Sequence, residues 1–334
     1  MNCSRRTHLQ WSMGCLAAGL GLPIQARKSD LVWRQRAMLG FGTSLWLNAG
    51  HPNAELLELA LNQSVGAIRQ IERELSLFDP DSALSRLNRN GQLKQAPIHL
   101  MTVMRYAQKV SQRSRGALDV SIQPLWDLWS RASAQGERPS ALALQRACAR
   151  VHWQAIELRG RDVLLNRANM AVSLNGLGQG YAADVVRQIL WSHGVRDALI
   201  DTGESFPLGH NAQGDPWTLG IEAFATTGVK HTTQLTPLVC DARAVATSSD
   251  AHTTFSSDHR DHHIFDPRSG RSPTHWASVT VLAPSALHAD ALTKVAFLTP
   301  AQQLPRFARA WGVDVIAQDK QGNWHSTMAG FNPS

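Results

Sequence analysis

The sequence predicts an α+β fold in which mixed or antiparallel sheets pack against helices. Three observations predict it. Leu57, Leu61, Val65, Ile68, Ile71, Leu75 and Phe78 recur at steps of three and four, the mark of a long amphipathic helix. Short runs such as Leu39 to Asn48 and Ser278 to Leu282 have strand character. The two kinds of segment are interspersed, with several strands placed to pair antiparallel.

In chain order, Leu39 to Asn48 alternates as a strand whose glycines, Gly40 and Gly42, leave one face bare for a close approach. Asn53 opens the long helix, and the turn cluster Asp79-Pro80-Asp81-Ser82 stops it. Ser82 then caps a short helix through Asn88. Another helix runs from about Leu100 to Arg113. Gly116 to Ser121 ends it, and Pro124 to Arg150 is helical with a polar break at Ala134 to Pro139. Short strands fit Ala155–Leu158 and Val163–Leu165. Val172-Ser173-Leu174 reads as a strand end, Asn175 to Gly180 as a glycine-rich turn, and Tyr181 to His193 as a helix. Strand, glycine turn and helix together aim backbone N–H groups at a phosphate. Further strands fit Asp197 to Gly203, Trp217 to Glu222 and Ala242 to Thr247. Thr247-Ser248-Ser249-Asp250 reads as a polar turn of small hydroxyls. Pro284-Ser285 starts a helix through Leu298.

At 334 residues the chain has room for a substantial core. Charged residues make up 18%, below the usual quarter, and the net charge is +7. Lys and Arg are scattered, which argues against nucleic acid as a partner and suits an anionic small molecule. The N-terminus is the clearest compositional signal. Ser4-Arg5-Arg6-Thr7-His8-Leu9-Gln10 precedes a weakly apolar run from Trp11 to Leu22, then Pro23-Ile24-Gln25-Ala26. A charged start, a short apolar region and a small residue before Arg27 describe an export signal over 1–26. The twin arginine points to the Tat route and the periplasm. The run is too short and glycine-rich for a membrane anchor. Ser12-Met13-Gly14 is a poor lipidation site before Cys15. The remaining 27–334 form one domain. Its Cys148 and Cys240 could pair in an oxidising compartment, although nothing in their spacing requires it.

One stretch concentrates chemistry. In His263-Ile264-Phe265-Asp266-Pro267-Arg268-Ser269-Gly270, Pro267 suits the second position of a turn and Gly270 can take a positive φ behind it. Such a turn presents His263 and Asp266. About twenty residues on, Ala289-Asp290-Ala291-Leu292-Thr293-Lys294 reads as helical. Two Asp and a His on rigid supports suit work on a phosphate or a metal. A hairpin turn with solvated histidines is the simpler alternative.

Several segments together carry a resemblance. They are Phe41-Gly42-Thr43, Phe78 to Asn88, Gly116-Ala117-Leu118-Asp119-Val120, Leu174 to Asp184, Thr247-Ser248, His263 to Gly270 and Ala289 to Leu292. In that order they resemble the ApbE family of FAD:protein FMN transferases. The resemblance implies an ApbE-like, T-fold-like flavin transferase architecture for 27–334. It implies a periplasmic enzyme that takes FAD with Mg²⁺, attaches FMN through a phosphoester to a Thr or Ser of acceptor flavoproteins, and releases AMP.

The resemblance also assigns residues. Asp290, Thr293 and the Gly176 carbonyl fall at metal positions. Phe41, Phe78, Ala117, Leu118, Asp119, Gln179 and Ile264 fall at flavin-contacting positions. His263 is the candidate base for the acceptor hydroxyl, and Asp266 would orient its loop. An equally simple reading keeps His263 as a hydrogen-bond partner of its own turn. The sequence also departs from the family. Ser173 stands where Asp is common, Gln179 where Lys or Glu is common, Phe41 for Met and Ser249 for Gly. The family's Thr ligand lies four residues after the Asp, where this chain has Lys294. Its Thr293 is one residue early, about 100° around the helix. Lys294 could therefore take the cation's place at the pyrophosphate. Two rival readings follow from that departure, a non-catalytic periplasmic FAD-binding protein and an FAD pyrophosphatase.

Overall fold

The alternation over Leu39 to Asn48 reads as one strand, but the chain folds it into a hairpin. Strands β1 (Val32–Gly40) and β2 (Thr43–His51) pair antiparallel around Phe41-Gly42. The φ angles there, 50° and 80°, make the two-residue turn that right-twisted strands prefer. Leu45 and Leu47 enter the core while Leu39, across the turn, stays exposed. This computed structural model describes residues 31–227, 230–251 and 253–333. The segment 1–26 read as an export signal, with Arg5, Arg6 and Cys15, lies outside the described residues.

Asn53 caps α1 (Ala54–Leu75) by accepting from the Glu55 and Leu56 amides. Leu57, Leu61, Ile68, Ile71 and Leu75 are buried as the stripe requires, each contributing about 1.5–3 kcal/mol. The helix stops at Ser76, so Phe78 leaves the stripe and is 69% exposed. Ser82 caps α2 (Ala83–Asn90), and β3 (Gln92–Leu93) leads to α3 (Ile98–Arg113). A 3-10 turn at Val120–Ile122 opens into α4 (Gln123–Ala134) and α5 (Ala141–Cys148), divided at the expected polar break. Then β4 (Ile156–Arg159) and β5 (Asp162–Leu165) form a small sheet with β3.

Val172-Ser173-Leu174 is an extended link and not a strand end. The Ser173 N–H donates to the Val120 carbonyl at 2.8 Å. It leads through the glycine turn into α6 (Gly178–Ser192). The rest of the chain is mostly sheet: β6 (Asp197–Asp201), β7 (Ser205–Leu208), β8 (Thr218–Thr227), β9 (Lys230–Val239), β10 (Ala244–Ser249) and β11 (Trp276–Ala283). Thr247 to Ser249, expected in a polar turn, instead close β10. Helices α7 (Ala286–Phe297) and α8 (Leu304–Trp311) and strands β12 (Asp314–Asp319) and β13 (Trp324–Ser326) complete the fold.

The main sheet runs in the order β1-β2-β6-β7-β10-β11-β12-β13, with every described pairing antiparallel. Helices α1, α6 and α7 cover one face. Leu45, Leu47, Ile200 and Phe206 from the sheet meet Leu57, Leu61, Val186 and Leu190 from α1 and α6. The β8–β9 hairpin covers part of the other face, where Leu219, Ile221 and Leu238 meet Val245, Leu282 and Ile316. Strand β11 is accordingly buried at every position. The α+β class with antiparallel sheets is the one the sequence predicts. Cys148 and Cys240 are both free and belong to different apolar clusters, so they do not pair. Among the described residues no helix is long and apolar enough to cross a membrane.

Candidate active site

Two helices that begin at the same place build the site. Leu177, at the N-cap of α6, has no side-chain acceptor for the helix's first amides. Asp290 from α7 supplies one: its Oδ2 accepts from the Gly180 N–H at 3.3 Å. Asp184 from α6 returns the arrangement, accepting from the Ala286 and Leu287 N–H groups of α7 at 2.8 and 3.0 Å. Each helix thus caps the other's N-terminus. The approach is close because Gly180 lacks a side chain. A Cβ there would sit 2.4 Å from the Ala286 carbonyl oxygen and 2.9 Å from the Asp290 Cβ.

Asp290 is fully buried, and its second oxygen, Oδ1, accepts from the Lys294 ammonium at 2.5 Å. Lys294 also donates to the Asp290 backbone carbonyl at 3.2 Å. Its side chain lies against Gly176, where a Cβ would be 2.5 Å from Cε. Thr293 turns away from that pair. Its hydroxyl donates to the Asp290 carbonyl at 2.7 Å and shares a 2.7 Å hydrogen bond with Ser248 of β10.

These contacts test the expectation that Gly176, Asp290 and Thr293 hold Mg²⁺. Magnesium demands near-octahedral oxygen geometry at about 2.0–2.1 Å. Here both Asp290 oxygens are engaged, one by an ammonium, and the Thr293 hydroxyl faces the sheet. Among the described residues no three His, Cys, Asp or Glu are grouped to hold a metal. The donor set does not fit Mg²⁺, because a metal ion on Oδ1 would have to displace the Lys294 ammonium.

Beneath the pair lie two acids that sequence reasoning missed. Glu204 is buried, and its carboxylate accepts from the Thr247 N–H at 3.2 Å. Burial, reinforced by the charge of Asp290, pushes its carboxyl well above the usual range. Asp201, which accepts from the Gly203 N–H, is pushed up to about 6 by burial. Single acids beside a glycine carry no periodic signal, so only the topology of β6, β7 and β10 brings them here.

The Asp201 shift has a measurable consequence. A carboxyl raised in the folded state favours folding below its unfolded value near 4, and that stability is lost as pH rises through 6. Ionised Asp201 costs about 3 kcal/mol. Asp201→Asn keeps an acceptor for Gly203 and should therefore gain roughly 2 kcal/mol at pH 7 and nothing at pH 4. Urea midpoints across that range measure it; equal gains at both pH values would show that burial is not the cause.

The expected flavin contacts are partly gathered here. Phe41 sits in the β1–β2 turn, its N–H donating to Glu72 at 2.8 Å. Its ring is 3.8 Å from a Cβ built at Gly178, and the Phe78 ring is 3.8 Å from one built at Gly42. The Phe41 ring therefore lies beside the start of α6, and the Phe78 ring beside the β1–β2 turn. Gln179 lies against Gly203, where a Cβ would be 2.2 Å from its Nε2, and the Gln179 carbonyl accepts from Thr202. The 117–121 turn reaches the site through the Val120–Ser173 hydrogen bond. Ala117 is half-buried and Leu118 is in the core. The Asp119 carboxylate is spent inside the protein, accepting from the Ser121 N–H and hydroxyl and from the Trp153 N–H, at 2.9, 2.6 and 3.0 Å. It orders its turn, and any flavin contact there falls to the backbone.

The His263 arm docks on α4 and α7. His262 is buried with its ring 5.6 Å from Phe297, and Ile264 joins the core that includes Leu292. The His263 Nδ1 lies 3.1 Å from the Thr253 carbonyl, and its ring meets Trp126 edge-on at 6.3 Å. A neutral ring donating from Nδ1 carries its lone pair on Nε2. The expected turn follows, with the Ser269 and Gly270 N–H groups donating to the Asp266 carbonyl and Gly270 at φ 67°. The Asp266 carboxylate pairs with Arg268 at 2.8 Å and so holds the loop. Trp129 anchors the turn from α4 by donating to the Gly270 carbonyl at 2.9 Å.

Solved structures share this architecture. The flavin transferase ApbE from Vibrio cholerae superimposes with a TM-score of 0.75 at 21% identity, over 90% of this chain and 98% of that one. Among curated proteins, one from Klebsiella pneumoniae (strain 342) is 28% identical over 267 residues, 77% of this chain and 75% of its own length. One from Treponema pallidum (strain Nichols) is 28% identical over 333 residues, 92% and 90% of the two chains. Both carry the name FAD:protein FMN transferase. The class is thus an α+β transferase enzyme. The family model described as "ApbE family" matches residues 41–317, and the chain belongs to that family.

Proposed function

We propose that this protein is an FAD:protein FMN transferase, moving FMN from FAD to a Thr or Ser hydroxyl of an acceptor flavoprotein. The observation that carries this reading is the family match over 41–317, within which the α6 start lies beside the Phe41 ring and the Asp290–Lys294 pair. In the reaction the acceptor oxygen bonds to the phosphorus on the riboflavin side. The bond from that phosphorus to the bridging oxygen breaks, and AMP leaves with that oxygen. His263 Nε2 takes the hydroxyl proton. The aromatic rings hold the flavin, and the α6 N-terminus faces the phosphates, where its partial positive charge favours anions.

The experiment is incubation of purified protein with FAD and an acceptor bearing a flavinylation motif. A gain of the FMN mass on the acceptor with matching AMP supports the reading. AMP and free FMN with an unmodified acceptor would establish the pyrophosphatase instead, and neither product the flavin carrier.

Residues 1–26 fit this role as a Tat export signal, which delivers folded protein to the periplasm. A mature N-terminus at Arg27 in the periplasmic fraction supports export; an intact Met1 start in the cytoplasm refutes it.

A further inference from the structure

Lys294 occupies an unusual position for a lysine. The residue it pairs with, Asp290, has a side chain 1% exposed, yet the lysine side chain is 24% exposed. The ammonium therefore stands at the boundary between a buried carboxylate and solvent. Two of its three N–H groups go to Asp290, to Oδ1 and to the backbone carbonyl. Two features of other elements preserve this placement. Gly176 gives the lysine stem the space it needs, since any side chain there would meet Cε. Gly180 holds the other carboxylate oxygen through its N–H, which fixes the carboxylate plane. The result is a positive group fixed at the start of α6, on the oxygen that a divalent cation would need.

We propose that Lys294 is the fixed cation of this site: held on Asp290, it donates its remaining N–H to the dinucleotide pyrophosphate, and the chain binds FAD and transfers FMN without a divalent metal. This rests on the FAD reading above. An ammonium carries one charge where Mg²⁺ carries two, and it brings no exchangeable coordination sphere. The site gives up part of the charge neutralisation and in return needs no ion from solution.

The test uses the full chain, stripped with EDTA, and three readouts. Flavin fluorescence follows FAD binding in EDTA and in millimolar Mg²⁺. Electron paramagnetic resonance of Mn²⁺ reports metal binding without FAD. Acceptor mass reports transfer. Wild-type affinity for FAD should change by less than about threefold between the two conditions, whereas Lys294→Met should weaken binding in EDTA by about tenfold or more. Lys294→Thr, which frees Asp290 and supplies a hydroxyl, should bind Mn²⁺ where wild type does not. Wild-type Mn²⁺ binding, or a change in FAD affinity of about threefold or more on adding Mg²⁺, overturns the proposal. The two readings separate cleanly. Metal-independent FAD binding with no transfer under either condition sinks the transferase, and metal-free transfer with it, and leaves Lys294 as the fixed cation of FAD binding. Transfer only with Mg²⁺ does the reverse, and no FAD binding under either condition overturns both.

Discussion

Gly180→Ala should destabilise the protein by about 2–4 kcal/mol, through overpacking and the loss of a buried hydrogen bond. The added methyl meets backbone on α7, 2.4 Å from the Ala286 carbonyl oxygen and 2.7 Å from its carbon, and neither can rotate aside. The helices must separate, and a modest movement breaks the 3.3 Å hydrogen bond from Gly180 to Asp290. Alanine's better helix propensity returns only about 1 kcal/mol. The control is two residues away. A Cβ at Gly178 would find its nearest neighbours at 3.7 and 3.8 Å, an ordinary contact. Gly178→Ala should therefore change stability by less than about 1 kcal/mol. Urea unfolding of both variants decides; equal effects would mean that the α6–α7 approach is not the tight point described here.

Replacing His263 should produce the largest loss of rate. Removing a general base lowers turnover by about 10²–10⁴-fold. His263→Asn is the informative change, because its amide nitrogen falls near Nδ1 and can still donate to the Thr253 carbonyl. FAD affinity should then stay within about threefold of wild type while transfer collapses. A variant that transfers FMN within about tenfold of wild type would reduce His263 to a residue that merely orders its turn.

Much of this architecture is legible in the chain because local chemistry decides it. The α1 stripe, the Asn53 and Ser82 caps and the break between α4 and α5 follow from periodicity and turn residues alone. The Asp266 to Gly270 turn is set the same way. Errors arise where a local pattern has two solutions. The alternation around Phe41-Gly42 suits one long strand or a hairpin, and the register along β2 and β6 decides for the hairpin. The hydroxyls of Thr247 to Ser249 suit a turn or a strand, and pairing with β11 decides for the strand.

In the site, the helical interval of four residues was enough to bring Lys294 to Asp290. The orientation of Thr293 toward Ser248 depends on where β10 lies, which no single stretch encodes. Glu204 and Asp201 were invisible for the same reason. Asp119 shows the opposite limit, since its place in an ordered motif suggested ligand contact while its carboxylate serves its own loop.

The mutual capping of α6 and α7 also bears on how the chain reaches its native state. The hydrogen bonds that join the two helix starts span 102 to 110 residues of sequence. Between them lie β6 to β11, so the caps can form only once that part of the sheet has closed. Contacts of such long range are made late, after their loop-closure entropy has been overcome. Until then α6 begins with unsatisfied amides, and Asp290 has neither its helix partner nor a buried setting. The Asp290–Lys294 centre is therefore incomplete in partly folded chains and is completed together with the sheet. A chain that binds FAD has, by that fact, finished folding.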